Sequence, residues 1–110
     1  MTITYAEIVP PRALTTATVV YTGLALQTVR IQAMTYTNNS GGTVALTVNL
    51  IPSGGTLGSG NVLISAQPVA AGRPYLCPEL INHTISPGDK LEVTATAGNI
   101  AVSGAIITAS

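Results

Sequence analysis

The stretch "TVALTVNLI" alternates without a break: Val44, Leu46, Val48 and Leu50 point one way, Thr43, Ala45, Thr47 and Asn49 the other. That period of two belongs to a strand with one buried and one wetter face. "KLEVTATA" repeats it, with Leu91, Val93 and Ala95 against Glu92, Thr94 and Thr96. "NIAVSGAIIT" sets Val102, Gly104 and Ile106 against Ala101, Ser103 and Ala105. The long run "LALQTVRIQAMTYTN" places Val29, Ile31, Ala33 and Thr35 opposite Arg30, Gln32, Met34 and Tyr36, while "TATVVYT" and "NVLISAQ" are shorter β-rich pieces. No segment carries a helical period over a useful length. The chain is expected to be all-β, an antiparallel β-sandwich of jelly-roll-like type.

Turn chemistry separates these runs. "NNSGG" (Asn38 to Gly42) is expected to join two strands as a hairpin, because its residues tolerate positive φ. "VAAGRP" and "SPGD" (Ser86 to Asp89) read as turns, and "CPELINH" (Cys77 to His83) has room for one helical turn with Pro78 at its first position. The N-terminus "TITYAEIVPPRALTT" is different. Pro10-Pro11 blocks helix and is excluded from a central strand. This segment either closes the sheet as an edge strand or lies on a neighbouring subunit. The reading favoured here is an extended N-terminal arm over 1–16 preceding a sandwich domain over 17–110, with Ile3, Tyr5, Ile8, Val9, Pro10 and Pro11 as candidate subunit or capsid contacts.

Composition narrows the partners. There is no Phe and no Trp, so the core is built from Val, Ile, Leu, Ala and some of the four Tyr. Charged residues make up 7% of the chain and the net charge is zero, against about 25% charged in ordinary domains. Low net charge favours association between copies. Nucleic acid demands clustered Lys and Arg, yet Arg12, Arg30, Arg73 and Lys90 are scattered. No apolar run approaches the length of a membrane span, and the first residues do not have the pattern of a signal peptide. The Asn38 and Asn82 glycosylation tripeptides are read as chance. Cys77 has no second cysteine to pair with and suits a small buried apolar position.

Candidate chemistry is thin. The loop "IPSGGTLGSGN" lacks the Lys of a phosphate-binding loop, and Leu63 stands where a dinucleotide fingerprint needs its last Gly. Ser53, Gly54, Gly55, Thr56, Leu57, Gly58 and Ser59 are therefore expected to form a flexible loop on the outer rim. His83 is the only histidine, with Glu79 placed to share a face with it if a helix forms; a hydrogen-bonded loop histidine is the simpler reading. Glu79, Asp89 and Glu92 are the carboxylates an enzyme reading would have to use. No nucleophile elbow is present. The expectation is no enzyme, no cofactor and no metal. Tyr5, Tyr21, Tyr36 and Tyr75 lie in four segments and are expected to pack rather than to converge on a sugar.

"IPSGGTLGSGN" (Ile51 to Asn61), "VAAGRPYLCPELINHTI" (Val69 to Ile85), "PGDKLEV" (Pro87 to Val93) and "VSGAII" (Val102 to Ile107) together resemble small β-sandwich proteins of bacteriophage virions. "TVRIQAMTYTNNSGGTVALTV" is similar to the strand, Asn/Ser turn and strand of that family. Arg73 departs from it, standing after "AAG" where an acidic residue is usual. The resemblance brings no catalytic residues. It implies a virion structural protein, foremost a capsid decoration (cement) protein on the outer capsid surface that binds the major capsid protein and itself, as a dimer or trimer. The alternative is a head-fibre or tail-fibre module that binds a host-surface glycan.

Overall fold

The computed structural model describes Met1–Thr108. Nine strands follow one another: β1 (Thr2–Ala13), β2 (Thr18–Thr22), β3 (Gln27–Thr37), β4 (Val44–Ile51), β5 (Val62–Val69), β6 (Pro74–Tyr75), β7 (Thr84–Ile85), β8 (Lys90–Thr94) and β9 (Asn99–Thr108). Two antiparallel sheets face each other. One runs β1-β9-β3-β6, with β7 also pairing β3, and the other runs β2-β8-β4-β5. Pro78–Leu80 forms a single 3-10 turn between β6 and β7, with Pro78 at its start as expected. Because β6 and β7 both line the free edge of β3, together they fill one strand position, and the strand order is that of an eight-position jelly roll. Apart from the β4–β5 hairpin and the β6–β7 link, each connection crosses from one sheet to the other.

The core sits between the sheets and needs no Phe or Trp. Ile31, Tyr36, Leu46, Val48, Leu80, Ile85, Leu91, Val93 and Ile100 have no exposed surface. Tyr36 is the one aromatic at the centre, and its buried hydroxyl donates to the Ala97 carbonyl. Gly98 follows with φ +102, and a Cβ there would stand 2.5 Å from the Thr37 carbonyl oxygen and 2.6 Å from the Tyr36 hydroxyl. Only glycine lets this turn close over the ring.

Alternation holds where strands are regular and fails at bulges. Leu91, Val93 and Ala95 point inward, as do Val102 and Gly104. On β3 the straight reading is wrong after Ile31. A register shift between Ile31 and Ala33 turns Met34 and Tyr36 into the core and leaves Ala33 and Thr35 on the outer face. β1 shifts between Glu7 and Val9, so both neighbours of β9 bulge at the level of Ser103. Each bulge inserts one unpaired residue and bends its strand, and hydrophobic spacing alone does not reveal where. The residues Leu24–Leu26, read as part of the β3 run, are instead a turn ahead of it.

Two further expectations need correction. "NNSGG" is not a hairpin, because β3 and β4 lie in opposite sheets. Asn38 is fully buried at this corner. Its amide donates to the Gly42 and Val69 carbonyls at 2.8 Å each, and its side-chain oxygen accepts from the Ser40 backbone N–H at 3.0 Å. Its own backbone bonds Arg73 and Gly72, which ties the corner to the β5–β6 turn instead of folding β4 back on β3. The N-terminal segment read as an arm is, over Thr2–Ala13, the outer strand of the five-stranded sheet, paired along β9. Leu14 follows it into the core, so 1–16 packs with the sandwich. Pro10-Pro11 is accommodated because β1 is an edge.

Asn38→Ala leaves the Val69 carbonyl without its buried donor, worth about 1–3 kcal/mol, and also removes the more exposed bonds to Gly42 and Ser40. The expected result is a destabilisation of roughly 2–4 kcal/mol in urea unfolding with an unchanged m-value.

Candidate functional site

The molecule is elongated, 47 by 27 by 20 Å, and several of its exposed apolar residues flank one end, while Val19, Leu76 and Ile81 are exposed on other segments. Thr2, Gln27 and Thr108 are paired neighbours at that end of the larger sheet. Around them Ile3 is 47% exposed, Tyr5 70%, Leu24 55% and Leu26 75%. The Leu24 carbonyl accepts from the Gln27 N–H at 3.3 Å, closing a turn in which Leu26 has φ 64. A leucine held in the left-handed region is strained. Here that strained residue also points most of its side chain into solvent. Reading "LALQ" as strand hid this feature; its apolar turn without Gly or Asn was the available signal.

The same end carries the start of the glycine loop. Asp89 accepts from the backbone N–H of Ser53 at 2.9 Å and of Ser86 at 3.0 Å. Gly23 donates to the Asp89 carbonyl and accepts from Gly88. The Asp89 carboxylate thus staples the β4–β5 and β7–β8 connections, and its backbone carbonyl adds the β2–β3 connection. Ser53, Gly54, Gly55, Thr56, Leu57, Gly58 and Ser59 are all exposed, yet the loop is tethered rather than loose. Asn49, buried on the outer face of β4, donates to the Gly58 carbonyl at 3.2 Å and the Asn61 side-chain oxygen at 2.8 Å. Asn61 in turn donates to Thr56 at 2.8 Å. The loop folds back over β4, which is why Asn49 and Ile51 are buried on the face that alternation reads as wet.

The candidate contact residues of β1 divide. Ile3, Tyr5, Pro10 and Pro11 are exposed and Ile8 is half-buried, but Val9 is a core residue at 2% exposure. The paired bulges beside β9 open a groove of about 220 Å³ on the outer sheet face, lined by Glu7, Pro11, Ala33, Thr35, Ala101 and Ser103 with Val102 beneath. Its floor is low because the central strand carries only Ala and Ser there.

Of the residues weighed for catalysis or metal, Glu79 and Asp89 carry hydrogen bonds that hold the fold. The Tyr75 hydroxyl donates to the Glu79 carboxylate at 2.7–2.8 Å, which pushes the Tyr75 pKa up to about 12. The 3-10 turn ends at Leu80, so Glu79 and His83 do not stack on one helix face. The exposed His83 instead accepts the Ile31 N–H through its carbonyl. Glu92 is half-buried along β8. Cys77 is fully buried, and burial, reinforced by the Glu79 charge, pushes its thiol up to about 12. The four tyrosines do not converge on one surface: Tyr36 and Tyr75 are paired across β3 and β6 but Tyr36 is in the core, and Tyr5 and Tyr21 belong to different sheets.

No protein-family model and no curated protein matches the chain. Among solved structures, a chain of infectious bursal disease virus Gt strain is similar in fold. The alignment covers 96% of this chain and 32% of that one, with a TM-score of 0.53 and 12% identity. This chain therefore spans about a third of the viral chain it matches, and the likeness is one of fold.

Asn49→Ala is expected to free the glycine loop, raising amide hydrogen exchange across 54–60 and costing about 1–3 kcal/mol. Stability should also fall at high pH. The Cys77 pKa is raised on folding from 9.0 to about 12, so its contribution is complete below pH 9 and is lost as pH rises toward 12. In urea titrations Cys77→Ala is expected to flatten that decline between pH 9 and 10, before the tyrosines ionise.

Proposed function

We propose that this chain is a structural protein of a bacteriophage virion, a capsid decoration (cement) protein that lies on the outer shell and stabilises contacts between major capsid subunits. The observation that carries this reading is the jelly roll, an architecture used by viral capsid domains, which aligns over 96% of its length with part of a virus chain. The phage assignment rests on the resemblance in the "IPSGGTLGSGN" and "VAAGRPYLCPELINHTI" segments. The surface suits the role. An apolar end formed by Ile3, Tyr5, Leu24 and Leu26, with few charges to desolvate, fits a fixed protein surface of low polarity. Affinity per copy need not be high, because contacts to several neighbours and to its own oligomer add through effective concentration.

A second reading is a head-fibre or tail-fibre module that binds a host-surface glycan. The outer-face groove favours it, since Glu7, Thr35 and Ser103 offer acceptors and hydroxyls around a floor of small residues. It lacks the aromatic platform usual for sugars.

The test is the chain's copy number per purified particle, measured against the major shell protein, together with the survival of particles lacking it. Cementing predicts a copy number comparable to the shell protein and a loss of resistance to heat and osmotic shock without it. A handful of copies, with saturable binding of the purified domain to host cells, would instead select the fibre reading. Absence from particles defeats both.

A further inference from the structure

Four strand edges are left open by the two sheets, and they are not alike. β6 and β7 are two residues each. β2 has five residues interrupted by a register shift between Val19 and Tyr21. β5 carries Pro68, a left-handed Ala66 and two shifts against β4. These are the devices by which proteins keep edges from pairing. β1 is divided. From Ile8 to Ala13 it has two shifts, Pro10-Pro11 and Arg12, but from Thr2 to Glu7 it pairs β9 in unbroken register, Thr2 with Thr108 through Glu7 with Ser103. That half, "TITYAE", is regular in register, β-rich and uncharged until its last residue.

We propose that this half-strand pairs antiparallel with the same half-strand of a second copy, across a two-fold axis at Thr4, joining the two five-stranded sheets into one. The facing of the side chains selects the register. Val29 and Ile31 lie on the inner face of the sheet, so their partners Ile106 and Gly104 do too, and with them Ala6 and, exposed at the edge, Thr4. Ile3, Tyr5 and Glu7 therefore lie on the outer face. A two-fold axis perpendicular to the sheet keeps outer face beside outer face, which pairs odd residues with odd. Centred on Thr4, it sets Ile3 opposite Tyr5 of the second copy, and Thr2 opposite Ala6. The outer face then gains a continuous apolar band, with Ile3 beside Ile107 and Tyr5 beside Ala105 in each copy. Aromatic and β-branched residues directly opposite each other are a favourable cross-strand pair.

Charge points to the same register. With the axis at Thr4 the two Glu7 side chains lie at opposite ends of the new ladder, six residue steps or about 20 Å apart. That exceeds the screening length of about 8 Å at physiological salt. Each step of the axis toward Ile8 brings the carboxylates closer, and an axis at Glu7 sets them face to face. Beyond Glu7 the bulges and prolines end the pairing. The contact is isologous and closes as a dimer instead of growing into a fibre.

This pairing does not rest on the virion reading and is tested on the purified chain. Sedimentation across a wide concentration range should show a reversible dimer of twice the 11.1 kDa chain mass. The double variant Ile3→Lys and Tyr5→Lys, at exposed positions, should sediment as monomer and melt as the unchanged chain does at concentrations where that chain is itself monomeric. In a separate variant, Thr4→Cys should join to its symmetry mate through a short bis-maleimide, while Thr56→Cys should not; the buried Cys77 stays out of the reaction. A chain that is monomeric throughout overturns the proposal. So does an oligomer that persists in the double-lysine variant, or one in which Thr4→Cys fails to cross-link.

Discussion

A jelly roll sends its chain from one sheet to the other at nearly every connection, and each crossing leaves backbone groups in a corner where no ladder reaches them. Three residues answer much of that need here. Asn38 satisfies the β3–β4 corner and binds it to the β5–β6 turn. Asn49 holds the glycine loop against β4. Asp89 gathers three connections at the apolar end. A chain with so few charges and no large aromatic beyond tyrosine has little else with which to fix its corners, and the core between the sheets stays aliphatic because the polar work is done at the ends.

The same accounting explains what was legible. The strands of regular register, β8, β9 and the first half of β4, could be read from their period, as could the role of Pro78 and the burial of Cys77. The bulges on β1 and β3 could not, since one inserted residue inverts every later side chain without changing composition. "NNSGG" carries residues that suit a hairpin and a crossing equally well; what decides between them is Val69, a carbonyl thirty-one positions away that takes the Asn38 amide. The glycine loop looked loose because its anchor, Asn49, sits in the alternating "TVALTVNLI" as an ordinary outward residue. Of the candidate contacts, Ile3 and Tyr5 are exposed as read, but Val9 is not, because the Glu7–Val9 shift turns it inward.

The two bulges also link fold to function. Flanking β9 at Ser103, they open the outer-face groove and end the regular part of β1. On one side of them β1 pairs in unbroken register and is apolar; on the other its register is broken and it is guarded by proline. For the proposed role of attachment in many copies to a fixed surface, this division matters. One unprotected edge gives a defined, closing contact, whereas several would give aggregation.

The apolar end and the open half of β1 overlap at Ile3 and Tyr5, and that overlap constrains any assembly. If these residues face a second copy across the strand edge, their outer faces still remain accessible, because cross-strand pairing covers side chains only laterally. Leu24 and Leu26, which precede β3, lie outside the paired edge altogether. A dimer so formed would present two such leucine turns and one shared apolar band on a single side. A surface that engages both ends of this array gains from the second contact without paying again for encounter. Under the proposed cement role, weak contacts spread along neighbouring shell subunits would then suffice for a clamp.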